Sequence, residues 1–145
     1  MKANMLFGIL ALLLFSGMTF CQTMAGPQQV ISRMIDTGTL EGHDTMVLGG
    51  MGDAAAVTVT KVLAGRSLST DKIDMVLIVL SRSFADPRGV AVVPDREPRT
   101  ALFVLAYLDS STRDAELKKR IAHTRKYVQD QYQKSKKEKE GDKKK

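Results

Sequence analysis

The segment Val47–Leu63, VLGGMGDAAAVTVTKVL, decides between a helical and a mixed fold. Gly49, Gly50 and Gly52 permit positive φ and close backbone approach, and Asp53 after them is a good N-cap, so a helix is predicted to start there. Ala55, Ala56, Val59, Val62 and Leu63 then recur at the three-to-four spacing that lines one helical face, with alanines small enough to let a neighbouring helix approach. A strand is the competing assignment, because Val57, Thr58, Val59 and Thr60 are all β-branched and alternate apolar with polar. The helix is preferred; the sequence alone leaves both open for Val57–Leu63.

Upstream, Pro27 to Thr37 places Val30, Ile31, Met34 and Ile35 on one stripe, with proline in the first turn and Gly38 as a stop. Thr39 to Val47 holds Leu40, Met46 and Val47, enough for a short helix that Gly42 weakens. Downstream, Thr70 can cap a helix in which Ile73, Val76, Leu77, Leu80 and Phe84 follow the helical period, and Met75, Ile78 and Val79 widen its apolar face. That breadth suits a central helix packed on two sides.

Asp86-Pro87 ends the pattern and opens a loop from Asp86 to Glu97, with Pro98 suited to the start of the next helix. Ala101 to Leu108, ALFVLAYL, is apolar throughout and is predicted to be the most buried helix. A capping box from Ser111 and Asp114 would start a last helix whose stripe is Leu117, Ile121, Thr124, Val128 and Tyr132, with Glu116 placed to pair with Arg120. The expected fold class is therefore all-α, about five helices stacked as antiparallel pairs, HEAT-like or an irregular bundle.

Leu48, Gly49, Gly52, Asp53 and Ala56 stand in the order L-G-x-x-G-D-x-x-A, which resembles the inter-helix turn and second-helix start of HEAT-like (armadillo-type) helical repeats. The next leucine of that motif falls on Thr60, and no second copy recurs at a fixed spacing. The resemblance implies stacked helix pairs and, by analogy, protein or peptide binding.

The ends differ from this body. Lys2, the apolar run Met5 to Phe15 and the small residues of Thr23-Met24-Ala25 have the layout of a secretory signal peptide cleaved near Ala25. The alternative is an anchor, through an uncleaved N-terminus or through Cys21, the only cysteine; Phe20 before it departs from the small residue of a lipoprotein signal. The domain layout is thus a leader over 1–25, a helical domain over 26–133 and a disordered lysine-rich tail over 134–145, exported to the periplasm or medium. No disulfide staples the domain, so its apolar core must hold it.

Residues 113–145 hold 13 basic and 6 acidic groups, a net of +7, whereas residues 26–112 hold 8 and 10, a net of −2. Basic character belongs to the last helix and tail. With no tryptophan and few aromatics after the leader, stacking platforms for single-stranded nucleic acid or sugar are lacking.

No nucleophile elbow is present, and the glycines of 49–52 lack the lysine and hydroxyl of a phosphate loop. Glu41, His43 and Asp44 form the one local cluster with metal-ligand chemistry, and it is assigned to a surface turn. No catalytic, cofactor-binding or metal-binding residue is therefore nominated. The functional expectation is a non-enzymatic protein-interaction module. The alternatives are an envelope-associated protein that binds acidic polymers or anionic lipid, and an enzyme of unrecognised type. Candidate partner-binding residues are Asp86, Arg88, Arg96 and Arg99 in the loop and Lys118, Lys119, Arg125 and Lys126 on the basic helix.

Overall fold

The computed structural model of the chain describes residues 26–85 and 97–142, the side chains of residues 138, 139 and 142 aside. The leader, Cys21 and the loop residues Asp86, Arg88 and Arg96 lie outside the described residues. Within them the fold is all-α, with six helices and no strand: α1 Pro27–Thr37, α2 Asp44–Leu48, α3 Asp53–Leu63, α4 Thr70–Ser83, α5 Arg99–Ser111 and α6 Ala115–Asp142. No described helix is long and apolar enough to cross a membrane.

The opening stretch is a helix. Ala55, Ala56, Val59 and Val62 are buried on one stripe of α3, which packs on α1, α4 and α5. The β-branched residues are accommodated locally: the Thr58 hydroxyl donates to the Ala54 carbonyl at 3.0 Å and that of Thr60 to the Val57 carbonyl at 2.7 Å. Gly50 and Gly52 sit at φ of 77° and 54°, conformations that disfavour a Cβ. The Gly52 N–H donates to the Ser83 carbonyl at 2.9 Å, tying the turn before α3 to the end of α4.

Asp53 caps a helix, but not its own. It is the first residue of α3, and its carboxylate accepts the N–H groups of Thr100 at 3.1 Å and Ala101 at 2.7 Å, in the first turn of α5. Pro98, at the N-cap position of α5, supplies no side-chain acceptor, so Asp53 fills that role from 45 residues away in the chain. Asp53→Ala is expected to cost about 1–2 kcal/mol in urea unfolding, and Asp53→Asn clearly less, because the amide keeps one acceptor. Equal losses in the two variants would show that the carboxylate does not act as a cap.

Helix α4 is the centre of the bundle. It packs on α1, α2, α3 and α6, and its apolar residues are buried on most sides, including Val76, Val79 and Leu80. This corrects the expectation that the α5 run is the most buried element. Helix α5 packs on α3 and α6, burying Ala101, Val104, Leu105 and Leu108, while Phe103 is 70% exposed and Tyr107 55% exposed. An unbroken apolar run does not reveal which face meets a neighbour.

Three further assignments shift. Ser69, not Thr70, caps α4, its hydroxyl accepting the Lys72 N–H at 3.4 Å. Asp114 alone receives the Glu116 and Leu117 N–H groups of α6, and Ser111 closes α5 with its hydroxyl on the Tyr107 carbonyl. Finally, α6 does not stop near residue 133. It continues to Asp142, about 42 Å in all at helical rise, carrying the lysine-rich stretch as helix.

Candidate functional site

Where α4 and α6 lie together, their outer faces border an open groove of about 660 Å³. From α4 come Leu77, Ile78, Ser81 and Arg82, and Ala85 follows just beyond its end. From α6 come Lys119, Arg120, His123, Thr124 and Tyr127. Leu40, in the connection between α1 and α2, completes the wall. Leucine, isoleucine and tyrosine carbon supplies an apolar floor, three permanent cations line it, and no carboxylate is among the lining residues.

The cations differ in how they are engaged. Arg120 crosses to α4 and pairs with Asp74 at 2.7 Å, not with Glu116 as the spacing on its own helix suggests. Glu116 pairs instead with Lys119 at 3.3 Å, an exposed contact of little energetic worth. Arg82 is exposed and makes no ion pair among the described residues. A ligand with negative charge therefore meets Arg82 directly and competes only weakly for Lys119.

The five partner-binding candidates among the described residues are not brought to one place. Lys119 lines the groove. Lys118 and Arg125, two turns apart, share a different face of α6, since consecutive helical residues are turned by about 100°. Lys126 pairs with Asp130 at 3.2 Å. Arg99 stands at the start of α5, where its Nε donates to the Glu97 carboxylate at 2.8 Å; that bond and the added Coulomb attraction raise the guanidinium pKa above its ordinary value. Arg82 joins Arg120 and His123 only when α4 and α6 pack, a juxtaposition that no spacing within one helix shows.

The Glu41, His43 and Asp44 ligand atoms lie within 4.8 Å of one another. Both carboxylates are already held by Arg33 of α1, whose Nη1 donates to Glu41 and Nη2 to Asp44. Asp44 is fully buried and also accepts the Glu41 N–H at 2.7 Å. The cluster thus fastens the connection from α1 to α2, and a metal ion would have to displace a guanidinium.

Fold and groove together define a small all-α bundle with an open, cation-lined cleft between its central and last helices. Comparison with known proteins adds no relative: no family model matches the chain, no curated protein matches it, and no solved structure matches it.

Proposed function

We propose that this chain is a non-enzymatic interaction module that docks a partner protein along the α4–α6 groove. The observation that carries the reading is the groove itself, an apolar floor lined by Arg82, Lys119 and Arg120, of which Arg82 makes no ion pair among the described residues. Such a surface offers burial to apolar side chains and steering to negative charge, the two components that give a docking site affinity and register. The turn that resembles a HEAT-like repeat fits a stacked-helix binding scaffold without adding to the weight of the groove.

The test is site-directed photo-crosslinking in the cells that produce the protein. A benzophenone-bearing residue in place of Ser81 is expected to trap one discrete partner, and the same residue in place of exposed Lys61 on α3 is expected to trap none. An empty lane at Ser81, or the same adducts from both positions, overturns the reading.

A second reading rests on the continuation of α6 to Asp142, which holds Lys134, Lys136 and Lys137 exposed on a helical rod. Residues 134–145 contain no apolar side chain, so attachment of this rod to an anionic polymer or lipid surface would be Coulombic alone and steeply weakened by salt. Truncation after Gln133 separates the two readings: the Ser81 adduct is retained if the groove is the docking site.

A further inference from the structure

We infer that the occupant of the groove is an acidic amphipathic helix of about three turns supplied by the partner; the inference rests on the docking reading above. The α6 contributors fall at positions i, i+1, i+4, i+5 and i+8 from Lys119; on the facing side Leu77, Ile78, Ser81 and Arg82 repeat the first four of those spacings on α4, and Ala85 follows beyond its last residue, Ser83. The α6 ledge is therefore about 12 Å long and the helical part of the α4 ledge about 8 Å, and two packed helices with such ledges form the seat for a third. A helix whose apolar residues recur at i, i+3, i+4 and i+7 covers about the length of the α6 ledge.

Charge selects among occupants. Arg82 stands on one ledge and Lys119 and Arg120 on the other, so carboxylates flanking the apolar stripe of the incoming helix would meet a cation on both sides. A small molecule is the poorer match, since its site needs polar groups converging on one point and these are spread along two helices. A second copy of this chain also fits poorly. Its exposed aromatic face, Phe103 and Tyr107 on α5, lies in a stretch without a single carboxylate between Pro98 and Leu108. Residues 1–25 contain no acidic side chain either, which removes the chain's own N-terminus as a charge-matched occupant.

The probe is a labelled synthetic peptide of about 14 residues, with leucines at helical spacing and glutamates flanking them, titrated by fluorescence anisotropy into the full chain. Three companions replace every glutamate by lysine, place proline at the centre, or scramble the order. The glutamate peptide is expected to bind with a Kd of about 10–100 µM and the other three at least about tenfold more weakly. Arg82→Glu combined with Lys119→Glu, both exposed, should weaken it about tenfold while leaving the far-ultraviolet circular dichroism unchanged. Ser81→Trp, which fills the groove at constant charge, should weaken it as well.

Equal binding of the glutamate and lysine peptides, or of the proline peptide, overturns the inference. So does indifference to the charge reversal, concentration-dependent dimerisation abolished by it, or binding to equimolar phosphatidylglycerol–phosphatidylcholine vesicles that the reversal removes. If Ser81 traps a partner and no peptide binds, the helix is the wrong occupant and the docking reading stands. If Ser81 traps nothing, the docking reading fails first.

Discussion

Leu80→Ala is expected to destabilise the protein by about 3–4 kcal/mol, a large share of the total for a domain of this size. Leu80 is fully buried on α4, the helix that meets α1, α2, α3 and α6, so the lost side chain leaves a cavity bordered by several elements at once. Such a cavity cannot close by one helix shifting, because a shift toward one neighbour opens a gap at another. No disulfide joins the described residues, so nothing covalent limits the loss. Urea unfolding should show the midpoint falling with the slope unchanged. Ile78→Ala, two residues away on the groove side and only partly buried, should cost less than about 1.5 kcal/mol. A Leu80→Ala loss below about 1 kcal/mol would mean that α4 is not the packed centre.

Helix α1 and the period of α4 were legible because each depends on local rules. Val30, Ile31, Met34 and Ile35 share one stripe, and Gly38 ends the helix at φ 68° with its N–H on the Met34 carbonyl. The helix–strand ambiguity at Val57–Thr60 was equally local. The small, fully buried Ala55 and Ala56 settle it, since they admit the neighbouring helices that β-branching alone would not anticipate. What the sequence hid was relational. Asp53 has the chemistry of a cap, yet the helix it serves begins at Arg99, and no spacing rule joins the two. Arg120 has Glu116 one turn away and takes Asp74 on another helix. The groove is the extreme case, because Arg82 and His123 are ordinary solvent-facing residues until α4 and α6 lie side by side.

The Arg33–Asp44 pair should give the second large effect, and a non-additive one. Arg33→Met leaves a fully buried carboxylate that keeps the Glu41 N–H at 2.7 Å and His43 at 3.3 Å but loses its permanent countercharge. Removing one member of a buried ion pair costs about 3–5 kcal/mol; with Arg33 itself 29% exposed, about 2–3 kcal/mol is expected here. Asp44→Asn removes the charge and keeps an acceptor for the Glu41 N–H, so about 1–2 kcal/mol should suffice. With both changes present no buried charge is stranded, and the combined loss should fall short of the sum of the singles by about 1 kcal/mol or more. Additivity within about 0.5 kcal/mol would show that the two side chains do not sense one another. The effect reaches beyond stability because the segment this pair fastens carries Leu40, part of the groove wall. Arg33→Met should therefore weaken the acidic peptide as well, although Arg33 is not among the groove's lining residues. Asp44→Asn, which leaves the arginine bond to Glu41 in place, should weaken it less.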